Sequence, residues 1–347
     1  MDPKEGLIYK EETKAFTIGK NFKCLLKKEM FPKDILILNI ENPDTQIRKG
    51  IMTNTIEEIY FCDKHSIKID SGSFPSSLRK LVLGNDYNNY FQQMTFPKKL
   101  KELHLGKKYE KELMYLPENL EILKIQNVKT IINKNTIPAK LKKLILDSNN
   151  APTQKNISFI PNTVEHLELF KKGECLAIYD LSFLCELSIL KLNYKDYKNI
   201  VKLPENIKYL EIYNNLGDYK FIRTGILPNK IEYLVLHSLS LFPKDIYYEN
   251  DEIIYTQEIM EEFNEKLKNL KYLSLSGVNE EDFILNNLPS NLETIKFSNL
   301  KIAINKLPTS LKKIIIDDQN KKYLITCIPP ECEIATVDDD IFINDCI

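Results

Sequence analysis

One short pattern of apolar and polar positions recurs along almost the whole chain. It reads apolar, Pro, two polar, apolar, two mixed, apolar, any residue, apolar. Phe74-Pro75-Ser76-Ser77-Leu78-Arg79-Lys80-Leu81-Val82-Leu83 shows it, as does Leu116-Pro117-Glu118-Asn119-Leu120-Glu121-Ile122-Leu123-Lys124-Ile125. The proline slot falls at Pro32, Thr53, Pro75, Pro97, Pro117, Pro138, Pro161, Leu184, Pro204, Pro228, Leu267, Pro289, Pro308 and Pro329. Intervals run from 19 to 24 residues, with a single interval of 39 between Pro228 and Leu267. The three apolar positions downstream of the slot are kept in all fourteen units when Cys332 and Ala335 are counted in the last. A register held this long marks an array of similar turns, not two ordinary domains.

Each part of the unit predicts an element. Proline presets φ and has no N–H to donate, which suits a corner leading into a strand. The apolar residues six and eight positions after the slot alternate with period two, so both face the core from one short strand. A lone unit of about 22 residues cannot bury that face, whereas stacked units can. The expectation is a leucine-rich-repeat-like solenoid: a curved array with a continuous parallel β-sheet on its concave face and a mostly irregular convex side.

The core Leu/Phe/Ile-Pro-x-x-Leu-x-x-Leu-x-Leu resembles the FNIP repeat, a relative of leucine-rich repeats found in social amoebae and giant viruses of amoebae. The resemblance covers roughly residues 31 to 337. The second half of that repeat typically carries a Gly, a Phe-Asn pair and an apolar residue; Gly84-Asn85-Asp86-Tyr87-Asn88-Asn89-Tyr90 comes nearest, and most units depart from it. Some relatives place an F-box before the repeats, as substrate receptors of ubiquitin ligases. Phe31-Pro32-Lys33-Asp34-Ile35-Leu36 looks like an F-box opening, but it sits in repeat register and no amphipathic helix follows. The resemblance implies a protein-binding module or scaffold in the cytoplasm of an amoeba or of an infected host cell. The alternative is a structural component of a giant-virus particle.

Three segments depart from the array. Residues 1 to 30 read as an amino-terminal cap, with Ala15-Phe16-Thr17-Ile18 as an edge strand. The solenoid follows over 31–337, and 338–347, opening on Asp338-Asp339-Asp340, reads as an acidic carboxy-terminal cap or tail. The insertion at 241–269 begins with an acidic, tyrosine-rich loop at Tyr247 to Tyr255. Ile259, Phe263, Leu267 and Leu270 then recur at helical spacing behind Thr256 as N-cap, predicting a helix over 256–269.

Composition narrows the function classes. Lys and Arg number 48 against 49 Asp and Glu, a net charge of −1, so no bulk field draws the chain to nucleic acid or anionic lipid. Arg48, Arg79 and Arg223 are the only arginines, though bidentate phosphate and base recognition favours that residue. No apolar run reaches the length of a membrane span. Seven cysteines without a CxxC pair read as reduced thiols, with Cys62 and Cys185 as buried filler. The sequence carries no Gly-rich phosphate loop, HExxH or GxSxG. The histidines His65, His104, His166 and His237 are scattered over different units, with His104 facing solvent from a strand. Lysine pairs such as Lys98-Lys99, Lys142-Lys143 and Lys312-Lys313 lie among glutamates and read as solvated repeat surface. The expectation is therefore no enzyme, no cofactor, no metal and a protein partner.

Binding falls on the residues that alternate with the core, five, seven and nine positions after the slot, because these point to the outer face of the sheet. Tyr209, Tyr233 and Tyr272 occupy the first of these positions in three successive units. Tyr213 and His237 stand four residues further along two of the same strands. Tyrosine gives large contact area at low entropic cost. These five residues are the candidate partner-binding patch.

Overall fold

The corner of each unit is a turn closed by its own backbone. The carbonyl of the proline slot accepts the N–H three residues on, at 3.1 Å for Leu78 to Pro75 and 3.0 Å for Leu120 to Pro117. The same bond forms where the slot holds Thr53, Leu184 or Leu267, so proline stiffens the corner without being required for it. One residue further, the carbonyl of the fourth position accepts two N–H groups of the next unit. Arg79 O, for example, takes Lys101 N at 2.8 Å and Glu102 N at 2.9 Å. The two polar positions after the slot stitch neighbouring turns. Asn119, Asn206, Asn269 and Asn291 donate their side-chain amides to a corner carbonyl of the preceding turn, at 2.7 to 3.2 Å. Thr163 and Ser310 do the same with their hydroxyls. At these six turns a corner carbonyl is thus satisfied by a side chain of the next unit.

The computed structural model describes residues 5–127, 132, 136–148, 159–171, 179–214, 220–242, 247–249, 252–254, 257–277 and 283–336. They form two compact units, residues 1–177 and 178–347. Both are β-solenoids of leucine-rich-repeat type with a parallel sheet.

The first unit holds β1 (Leu7–Lys10), β2 (Ala15–Ile18), β3 (Ile37–Ile40), β4 (Glu58–Phe61), β5 (Lys80–Val82), β6 (Glu102–Leu105), β7 (Ile122–Ile125), β8 (Lys143–Ser148) and β9 (His166–Lys171). They pair in chain order. β1 and β2 are antiparallel and the rest parallel. Register is unit on unit: Leu38, Ile59, Leu81, Leu103, Leu123, Leu144 and Leu167 form one row, and none is exposed at all. Ala15–Ile18 is a strand as expected, but not an edge, since β1 covers its free side.

The opposite side of this unit has its own core. Tyr87 and Tyr109 stack at 6.5 Å with Phe91 beside both. His65 occupies the same place in its own unit, twelve residues after the slot, and is 1% exposed. Its ring leans on Phe61 at 4.4 Å and its Nε2 lies 3.0 Å from the carbonyl of Thr45. Gly84 and Gly106 stand where consecutive turns touch: a Cβ on Gly84 would lie 1.9 Å from Cys62 O, and one on Gly106 2.4 Å from Gly84 O. The glycine of the repeat's second half is therefore a requirement of close backbone approach.

The second unit contains β10 (Tyr179–Asp180), β11 (Ile189–Asn193), the short helix α1 (Tyr194–Tyr197), β12 (Ile200–Lys202), β13 (Tyr209–Tyr213), β14 (Lys220–Arg223), β15 (Tyr233–His237) and β16 (Leu239–Phe242). These are followed by β17 (Tyr247–Glu249), β18 (Glu252–Ile254), α2 (Gln257–Leu267), β19 (Tyr272–Ser276), α3 (Phe283–Asn286), β20 (Thr294–Ser298), β21 (Lys313–Ile316) and β22 (Glu333–Thr336). Its main sheet runs β11-β13-β15-β19-β20-β21-β22, all parallel. Leu190, Leu210, Leu234, Leu273, Ile295 and Ile314 form its fully buried row. Two further parallel pairs, β10 with β12 and β14 with β16, lie outside this sheet.

In the last turn the pairing slips by one residue. Ile334, not Ala335, lies opposite Ile314. A one-residue slip exchanges the faces of a strand, and here it sets an isoleucine beside the core row. The inserted helix is present as α2, with Ile259, Phe263 and Leu267 buried along one side. β15 still pairs directly with β19, so the insertion loops out of the sheet. The stretch expected as a loop holds the antiparallel hairpin β17–β18 instead. The tyrosines of β17 and the isoleucines of β18 suit strands. Thr256 and the acidic tail at 338–347 lie outside the described residues. Cys185, expected as filler, is exposed, while Cys62 is half-buried. Cys185 directly follows the slot, a corner position that faces water.

Candidate outer-face binding site

The outer face of the second unit is built by β11, β13, β15, β19 and β20. Parallel pairing in register sets Tyr209 beside Tyr233 and Tyr233 beside Tyr272, as the repeat predicts. Ring centroids are 6.4 and 6.1 Å apart. Tyr213 lies beside His237, their rings parallel within 4° at 4.3 Å. All five sequence-predicted residues thus meet on one face.

Their exposure differs from the expectation. Tyr209 is 3% exposed and Tyr272 7%, and with Val235 and Ile315 they make a second apolar cluster on this side of the sheet. Ile189 and Tyr233 pack against it. Adjacent strands stand only about 4.8 Å apart, so bulky side chains in the same slot cover one another's flanks. Tyr209 and Tyr272 therefore serve as packing, and the residues of the patch that reach the surface are Tyr233, Tyr213 and His237, all partly exposed.

At the centre of the patch sits a residue that the tyrosine pattern did not single out. Glu211 is 7% exposed and collects four donors. Tyr209 donates to its Oε2 at 2.8 Å, and Tyr213 donates to its Oε1. His237 Nε2 lies 3.0 Å from Oε1, and Lys191 Nζ lies 3.3 Å from Oε2. Burial alone would push the Glu211 pKa up. The hydrogen bonds from His237, Tyr213 and Tyr209, with the charge of Lys191, outweigh it and hold the carboxyl at about 2. Tyr209 shifts the other way, raised by burial and by the neighbouring carboxylate. The sequence did carry a trace of this network. Glu211 stands between two outward tyrosines, with Lys191 in the matching slot of the preceding unit.

The first unit repeats the same arrangement twice on its own outer face. Glu102 Oε1 takes His104 Nε2 at 2.8 Å and Lys80 Nζ at 3.0 Å. Glu168 Oε1 lies 2.7 Å from His166 Nε2, without hydrogen-bond geometry, and 3.3 Å from Lys143 Nζ. The His104 hydrogen bond lowers the Glu102 pKa to about 2, helped by Lys80 and opposed by burial. His104 and His237, scattered in sequence, thus share one role: each fixes an outward glutamate together with a lysine of the preceding main-sheet strand, and His166 stands in the same relation to Glu168 and Lys143 by proximity.

The lysine pairs divide by face. Lys142 meets Glu165 at the corner, whereas Lys143 meets Glu168 on the outer face. Corner ion pairs such as Lys101–Glu121 and Lys312–Glu293 lie in solvent, where each contributes little stability. Among the described residues no group of three His, Cys, Asp or Glu side chains could hold a metal ion, and no helix is long and apolar enough to cross a membrane.

A solved structure described as CroV588, a novel circular LRR protein, is similar to this chain, with a TM-score of 0.61 at 18% identity. The similarity covers 92% of this chain and 49% of the other, so this chain spans about half the length of that protein. At this identity the likeness concerns the fold. No curated protein matches the chain. The family model that does match agrees with the repeat seen in both sequence and structure: the chain carries the FNIP repeat, matched at residues 43–86, 66–108 and 129–172.

Proposed function

We propose that this protein is a non-enzymatic binding module that holds another protein against the outer face of its sheet. The observation that carries this reading is the second unit's outer face. There Tyr233, Tyr213 and His237 are presented at the surface by a rigid base of buried Tyr209, Tyr272 and Glu211. Amphipathic aromatic side chains held in fixed positions are the residues that dominate protein interfaces. The leucine-rich-repeat-like fold, which commonly mediates protein interaction, supports the same reading. The proposed location is the cytoplasm, which the five unbridged cysteines among the described residues suit. Residues 1–30 are proposed to cap the array, the β1–β2 hairpin supplying the covering strand.

A photo-crosslinking amino acid at Tyr213 or Lys296 tests the proposal in cells that express the protein, with Glu205 at an exposed corner as the comparison. A single crosslinked partner from the two face positions and none from Glu205 is expected. Crosslinks from Glu205 alone would move the binding site off the sheet face.

A further inference from the structure

From β11 to β21 the outer face of the second unit has an uneven charge. Lys191, Lys296 and Lys313 project from it, together with His237. Two carboxylates stand in these outward rows: Glu211, which lies beneath the surface and is surrounded by Tyr209, Tyr213, His237 and Lys191, and Asp317, which is exposed nine positions after Pro308. Glu333 on β22 stands beside Lys313, and Asp317, past the end of β21, is engaged by Lys321 and by the N–H of Asn299. The chain as a whole carries −1, so a cationic face is a local property and not a consequence of bulk charge.

The arrangement has a direction. Lys191 marks one side, Lys296 and Lys313 the other, and the Tyr209–Tyr233–Tyr272 ladder lies between them. Four strand steps separate Lys191 from Lys296, about 19 Å at about 4.8 Å per step. An extended segment of about six residues spans that distance. Ser276, Thr294 and Ser298 border the path as partly exposed hydroxyls able to donate to an anion. We propose that this face binds an acidic, extended segment of a partner protein. Carboxylates of the segment meet the lysines at both ends, and an apolar or aromatic residue between them lies on Tyr233. The inference rests on the outer face being the binding surface and adds the chemistry of what binds there. Charge attraction across such a face also raises the association rate and makes binding salt-dependent.

The test uses the full chain and three fluorescent probes: a decapeptide of alternating Glu and Ala, its Lys and Ala counterpart, and a ten-residue oligothymidylate. Anisotropy at low salt should show the glutamate peptide bound and the other two not bound. Lys296→Glu/Lys313→Glu should weaken that binding by about tenfold or more, and Lys296→Gln/Lys313→Gln by a smaller factor. Lys99→Glu/Lys101→Glu, in the first unit, should leave it unchanged. Melting curves confirm that each variant is folded, and the glutamine pair decides if the charge-reversed one is not. No binding of the glutamate peptide at millimolar concentration, equal binding of the lysine peptide or oligothymidylate, or indifference to both Lys296/Lys313 variants would overturn the inference. A partner that crosslinks from Tyr213 but binds the Lys296/Lys313 variants undiminished would also sink it, leaving the broader function standing. Crosslinks from the corner alone would remove both.

Discussion

The Tyr213 ring lies flat on the imidazole of His237, 4.3 Å between centroids, and both side chains reach the same oxygen of Glu211. Two residues on adjacent strands are thereby locked to each other and to a third beneath them. The outer face behaves as a rigid surface because its polar groups are bound to the sheet that carries them.

Glu211 gives the network a measurable pH signature. Its carboxyl is held at about 2 in the folded chain, below the value of about 4.3 for a free glutamate. A group depressed in this way contributes stability that is complete above the unfolded value and is lost as pH falls towards the folded one. Urea midpoints of the wild type should therefore drop between pH 4.5 and 2 more steeply than those of Glu211→Gln. The difference should be on the order of 2–3 kcal/mol. Parallel pH profiles would show that the carboxylate is not held as described.

His65 predicts a second acid response nearer neutrality. It fills the slot of Tyr87 and Tyr109, and among the described residues its Nδ1 has no partner. Burial pushes its pKa down, against the pull of the Thr45 carbonyl and Asp44. The unfolded chain then binds the proton first, so stability should fall as pH drops below about 6.5. His65→Tyr, the residue its neighbours carry in that slot, should flatten urea midpoints between pH 7 and 5. A wild-type midpoint that does not change over this range would contradict the argument.

The tyrosine ladder should separate packing from contact. Tyr209→Ala or Tyr272→Ala empties a buried site and should cost about 2–4 kcal/mol. Tyr213→Ala, at a partly exposed site, should cost less and should weaken partner binding instead. Chemical denaturation and a titration of the isolated partner measure the two effects. Equal destabilisation by all three variants would mean that the two kinds of tyrosine have been wrongly divided.

Strand alternation is checked by neighbours in sequence. Leu123 is fully buried and Lys124 is not. Leu123→Ala should cost about 2–5 kcal/mol, and Lys124→Ala less than about 0.5 kcal/mol. Similar urea midpoints for the two variants would refute the assigned register.

Glycine positions distinguish close approach from backbone conformation. Gly84→Ala would drive a methyl group into Cys62 O and should destabilise the first unit severely. Gly50 has φ +80° and open space around it, so Gly50→Ala should cost only about 1 kcal/mol. Met94 occupies the matching place two turns later, with φ +61° and 77% exposure. Met94→Gly should accordingly be neutral or stabilising by up to about 1 kcal/mol. Thermal unfolding ranks the three, and a stable Gly84→Ala would show that the turns do not touch.

What was legible in the sequence is what depends on local order. The slot at Pro75 or Pro117 and the leucines six positions later define corner and strand, because period-two alternation has one solution when one face must be buried. The same register sets Tyr209, Tyr233 and Tyr272 side by side, since parallel strands of matched units leave them nowhere else to stand. The tertiary structure alone decided how much of each ring water can reach. Burial of Tyr209 and Tyr272 comes from flanking side chains on other strands, Val235 and Ile315 among them, and no pattern within one unit encodes it. It also decided the role of Glu211, whose partners Lys191 and His237 are brought in from separate turns. The charge of a glutamate is written in the sequence, but the depth at which it sits and the donors around it exist only once the turns are stacked.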